Sequence, residues 1–73
     1  MPNLPSFKPR DIEKILRAND FYLKRQSGSH RIYHSLKTNA IVPVPFHSRD
    51  IARGTVGSII KQSKLPIEKF LKK

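Results

Sequence analysis

The chain has 73 residues, with 15 Lys+Arg against 5 Asp+Glu, a formal net charge of +10 and neither Cys nor Trp. That length bounds it to one small domain over residues 1–73, and the missing cysteines exclude disulfide scaffolds, Cys-based zinc modules and thiol catalysis. A chain this short buries only roughly 60% of the surface it exposes when unfolded, which disfavours a deep, walled enzyme pocket. No apolar run approaches the roughly 20 residues of a membrane span. The start, Met1-Pro2-Asn3-Leu4-Pro5-Ser6-Phe7-Lys8, lacks the apolar core of a signal peptide, so the expected compartment is the cytoplasm, with no membrane partner.

In chain order, residues 1–8 read as a short tail containing Pro2 and Pro5. Pro9 suits the first position of a helix, and Ile12, Ile15 and Leu16 recur at helical spacing, which predicts a helix over 9–18. Asn19 is the expected stop, because Asn tolerates the left-handed conformation. Phe21 to Arg25 alternate as a strand, residues 26–29 read as a turn, and residues 30–36 as a second strand. Lys37-Thr38-Asn39 is a tight turn before a third strand over 40–46. There Pro43 and Pro45 lack amide donors on the same side, as an edge strand requires. Residues 48–54 connect to a second helix over 56–63, with Thr55 as its expected N-cap and Val56, Ile59 and Ile60 inward. A short last helix over 66–71 buries Ile67, Phe70 and Leu71. The order α-β-β-β-α predicts an α+β fold, a three-stranded antiparallel sheet with helices packed on one face and the other face free for a ligand.

The charge has a distribution as well as a size. Between Phe21 and Ile67 stand eight bases and one acid, Asp50, whereas Asp11, Glu13, Asp20 and Glu68 lie toward the ends. Polyanions are the natural match for such a body, and nucleic acid leads among them. Lys24, Arg25, Arg31 and Lys37 are the expected lining of an RNA path.

Three histidines, His30, His34 and His47, are the candidate reactive groups. His30 and His34 lie four residues apart on one predicted strand, roughly 13 Å at about 3.3 Å per residue, too far to chelate one ion, and no metal site is expected. Acid–base chemistry fits better, because an ordinary imidazole titrates near pH 6.5. RNA cleavage needs a base for the 2′-hydroxyl proton, an acid for the leaving 5′-oxygen, and cations for the crowded phosphorane. His30 follows the small residues Ser27, Gly28 and Ser29, which allow a close backbone approach, and precedes Arg31. A two-residue turn at Thr38-Asn39 sets His30 opposite His47, and a slip of one residue sets it opposite Phe46 or Ser48. The two histidines either share the acid–base duty or divide into one catalyst and one supporting group. Parity leaves a conflict, since His30 shares a face with the apolar Ile32. Either His30 lies beyond the covered part of the sheet, or Tyr33 is the inward residue. Gly54-Thr55, opening a helix, offers free amides to a phosphate.

Three blocks carry a resemblance: Gly28-Ser29-His30-Arg31-Ile32-Tyr33, then Val42-Pro43-Val44-Pro45-Phe46-His47, then Gly54-Thr55-Val56-Gly57-Ser58-Ile59-Ile60-Lys61-Gln62. In this order and spacing, the chain from about Pro9 to Leu71 closely resembles the HicA (YcfA-like) toxins of type II toxin–antitoxin pairs. The resemblance implies a fold similar to the double-stranded-RNA-binding domain. It also implies a metal-independent, cofactor-free mRNA endoribonuclease, and a HicB-type antitoxin that covers the active face. The family's catalytic histidine falls on His30, with His47 and Ser29 as candidate supporting groups. Lys24, Arg25, Gly28, Arg31, Lys37 and Thr55 are the expected RNA contacts. The alternative function is a non-catalytic RNA-binding module of the same fold, which would follow phosphates and 2′-hydroxyls with no need of His30.

Overall fold

A computed structural model describes residues 5–47 and 49–71. The first four residues of the expected tail and Ser48 of the expected connector lie outside the described residues. The elements run α1 (Pro9–Ala18), β1 (Phe21–Ser27), β2 (His30–Ser35), β3 (Ile41–Pro45), α2 (Arg53–Ser63) and α3 (Glu68–Leu71). The three strands form one antiparallel sheet in the order β1-β2-β3. Helices cover one face of it, as the α+β reading expects.

The core joins the inward strand residues Phe21, Tyr33, Val42 and Val44 to Ile12, Ile15 and Leu16 of α1, Val56 and Ile59 of α2, and Phe70 of α3. Phe7 is fully buried in the same core, and the Ile51 amide donates to its carbonyl at 2.8 Å. The expected tail therefore ends before Phe7, because a buried aromatic ring stabilises the fold more than a solvated one. Leu71, expected inward, is 37% exposed, since α3 is a single turn that aims only Phe70 at the core.

α1 begins at Pro9, and the Lys8 amide donates to the Asp11 carboxylate at 2.9 Å. Its end differs from expectation. Asn19 keeps φ at −117° and spends its side chain on the Ile15 carbonyl, at 2.8 Å, so the left-handed reversal falls to Asp20 at φ +69°. The hairpin between β1 and β2 turns on Gly28 and Ser29 alone. Gly28 has φ +59° at the first central position, where a two-residue hairpin turn favours glycine. β1 is thus longer than expected, reaching Ser27.

The loop between β2 and β3 is wider than the expected turn. Ser35 Oγ accepts the Lys37 and Thr38 amides, both at 3.1 Å, and Asn39 takes φ +61°. Residues 36–39 then form the loop, and Ser35 bonds to Ala40 at 2.9 Å. His30 accordingly faces Pro45, not His47, Phe46 or Ser48. This phase turns the nitrogens of Pro43 and Pro45 away from β2, so the edge strand loses no ladder bond.

Candidate active site

Tyr33, with no exposed surface, is the inward residue of β2, so His30, Ile32 and His34 share the open face. That resolves the parity conflict in favour of a solvent-facing His30. A bulge at Lys24 then matters. The pairing steps from Leu23 opposite Tyr33 to Arg25 opposite Ile32, leaving Lys24 as the extra residue. Strict alternation from the inward Leu23 would point Arg25 into the core. The bulge moves it to the open face, one row from His30. The row of His30 itself is completed by Ser27 and Pro45.

Beside this row lies a cleft of about 400 Å³ between β3 and α2. His30 lines it from β2, Pro43 and Pro45 from β3, His47 from the bend that follows, and Thr55, Ser58 and Gln62 from α2. His30 and His47 therefore meet in one cleft although they are not strand partners. Both are exposed.

Thr55 is not the N-cap. α2 starts three residues earlier than expected, at Arg53, with Ala52 as the cap and no side-chain capping bond. The Val56 amide bonds to the Ala52 carbonyl at 2.9 Å, so the amides of Arg53, Gly54 and Thr55 precede the helical ladder. Ala52 and Thr55 line the cleft, which places this helix start, with its positive dipole end, against the histidines. Ser58 and Gln62 were missed from the sequence. The signal was present: Thr55, Ser58 and Gln62 recur at three and four residues, one polar stripe of a helix. A helix begun only at Val56, with Thr55 as its cap, hides it.

The expected RNA contacts divide. Arg25 and Lys24 are exposed and have no ion pair among the described residues, and Gly28 and Ser29 form the turn before His30. Lys37 sits at the other end of β2, paired with Asp20 at 3.1 Å. Arg31 points under the sheet. Its Nη1 donates to Glu13 Oε2 at 3.1 Å, and its guanidinium carbon lies 3.9 Å from the centre of the Phe46 ring. Its Nε is buried without a hydrogen-bond partner among the described residues. The same Glu13 oxygen accepts the Tyr33 hydroxyl and pairs with Arg17 at 3.5 Å. Burial and the Glu13 bond push the Tyr33 hydroxyl up to about 12. For Glu13, burial raises the carboxyl, but the Tyr33 bond and the Arg17 and Arg31 charges outweigh it and hold it below its ordinary value. Arg31 thus fastens β2 to α1 and lies away from the face that carries His30.

His34, the third histidine, pairs with Tyr22 on the open face, Tyr22 Oη to His34 Nδ1 at 2.9 Å. Among the described residues, no three His, Asp, Glu or Cys groups gather closely enough to hold a metal ion. No helix among them is long and apolar enough to cross a membrane.

The fold and cleft define a small, basic α+β protein with two histidines and a helix start around one open cleft. A family profile described as the HicA toxin of bacterial toxin–antitoxin systems matches residues 9–65, well over half of the chain. The chain therefore belongs to the HicA toxin family, and its role is that of a toxin with a cognate antitoxin. No curated protein matches it.

Proposed function

We propose that this toxin is a metal-independent mRNA endoribonuclease acting in the cytoplasm and held inactive by a HicB-type antitoxin. The observation that carries the reading is the position of His30: exposed, on the open sheet face, and in one cleft with His47 and the start of α2. In this reading a target phosphate sits at the mouth of the cleft, where the free amides of Gly54 and Thr55 donate to its oxygens. His30 takes the proton of the adjacent 2′-hydroxyl. The 2′-oxygen attacks phosphorus, the bond to the 5′-oxygen breaks, and that oxygen leaves with a proton. His47 stands where it can orient the phosphate or supply that proton. The helix dipole and Arg25 offset the charge that develops on the phosphorane. Such positioned acid–base catalysis contributes about 10²- to 10⁴-fold.

The test is incubation of the purified protein with RNA in the presence and absence of a chelator. Cleavage that survives the chelator supports the ribonuclease. Tight binding without cleavage in either condition would replace it with the RNA-binding module.

A further inference from the structure

His47 belongs to two grooves. One is the cleft between β3 and α2. The other, of about 330 Å³, is lined by Lys8, Pro9, Arg10, Phe46 and His47. Its walls come from the start of α1, the residue after β3, and the bend that follows. Three of its five lining residues are basic types and none is acidic. Arg10 is exposed and has no ion pair among the described residues. Lys8 lies 3.3 Å from Asp50, but both side chains are more than half exposed, so water and salt screen that pair. The Lys8 amide is already bound to Asp11, so the charge on offer is that of the side chains.

An RNA strand cut at His30 continues on both sides of the broken bond. The cleft volume of about 400 Å³ is near the low end of the roughly 300–1,000 Å³ typical of small-ligand pockets. We infer that the groove at Lys8 and Arg10 holds the nucleotide on the other side of His47, with Arg10 and Lys8 on its phosphate and Phe46 against its base or sugar. The inference rests on the ribonuclease reading above. The Arg10 guanidinium matches two phosphate oxygens at once, and the weak pairing of Lys8 with Asp50 yields easily to a phosphate. The substrate is then a single strand that spans both grooves, and Arg10 and Lys8 favour long strands over short ones.

The test uses oligouridines with 2′-O-methyl groups throughout, which bind but offer no 2′-hydroxyl for attack. Affinities of a dinucleotide and a hexanucleotide are measured for the wild type, Arg10→Gln, Lys8→Gln and Lys14→Gln. Lys14 is exposed one turn along α1 and does not line the groove. Arg10→Gln and Lys8→Gln are expected to weaken the hexanucleotide by about 3- to 10-fold and the dinucleotide much less. Each should flatten the salt slope of the hexanucleotide by about 0.7, the value for one phosphate on a single strand. Lys14→Gln should cost less, and equally at both lengths. Equal losses at both lengths for Arg10→Gln, or a Lys14→Gln loss as large, would overturn the groove and leave the ribonuclease reading standing. Failure of the wild type to bind either oligonucleotide would overturn that reading and the groove with it.

Discussion

His30 and Arg31 are consecutive residues of β2 that serve opposite sides of the sheet. His30 is exposed between Ser27 and Pro45, whereas Arg31 Nη1 lies 3.1 Å from Glu13 Oε2 beneath them. The histidine is thus presented by a strand whose next residue is tied down to α1. A group on that strand is held more firmly than one on a free loop, which is what acid–base geometry requires.

This division separates two arginines that look alike in the sequence. Arg25→Gln should weaken RNA binding and flatten its salt dependence by roughly one unit or less, with little change in melting temperature. Arg31→Gln should lower the melting temperature and leave the salt slope nearly intact. Melting curves and salt titrations of the two variants check this. A flattened slope in Arg31→Gln with no thermal loss would contradict the placement of Arg31 under the sheet.

The Glu13 network should also appear in the pH dependence of stability. The folded Glu13 carboxyl titrates below the roughly 4.3 of an unfolded glutamate. Its contribution is therefore present above about pH 4.3 and is lost as pH falls through the folded value. Tyr33 behaves in the opposite sense. Its folded value of about 12 stands above the roughly 10 of an unfolded tyrosine, so its contribution is present below about pH 10 and is lost as pH rises toward 12. Urea midpoints across pH should fall less in acid for Glu13→Gln than for the wild type, and less in alkali for Tyr33→Phe. Glu13→Ala, which strips the buried Tyr33 hydroxyl of its acceptor, should cost about 1–3 kcal/mol at neutral pH.

Much of this architecture is legible in the residues. Apolar spacing places α1, and the even spacing of Pro43 and Pro45 marks β3 as an edge. What stays hidden depends on tertiary partners. The bulge at Lys24 has no glycine to announce it, yet it alone turns Arg25 toward His30. Ser35 looks like an ordinary strand residue, but its hydroxyl holds two loop amides and shifts the register of His30 by two residues. The attachment of Arg31 to Glu13 joins residues 18 apart, beyond any local pattern. The place of His30, directly after a tight turn, is legible because a Gly-Ser pair before a strand is a local feature.

The antitoxin surface follows from the same faces. Arg31 and Tyr33 are engaged below the sheet, so acidic side chains of the partner should pair with Arg25, and its apolar residues should cover Ile32 and Pro43. Such a contact buries His30 and should exceed about 1,000 Å² in total. Antitoxin titrated against toxin already carrying a non-cleavable RNA should displace the RNA. Simultaneous binding of both would point to inhibition from another face.

His47→Ala should slow cleavage less than loss of His30 does, if His47 orients the phosphate. Single-turnover rates decide it. An equally complete loss would assign His47 the proton of the leaving oxygen and make the mechanism a two-histidine one.

The most direct measurement is cleavage of one defined single-stranded RNA by wild type and His30→Ala, with the ends of the products analysed. The wild type should leave a 2′,3′-cyclic phosphate and a 5′-hydroxyl, and should spare any step whose 2′-hydroxyl is methylated. His30→Ala should remain folded and bind the RNA, yet cut it at least about 10²-fold more slowly. Undiminished cleavage by a folded His30→Ala protein, or cleavage at the methylated step, would contradict the role given to His30.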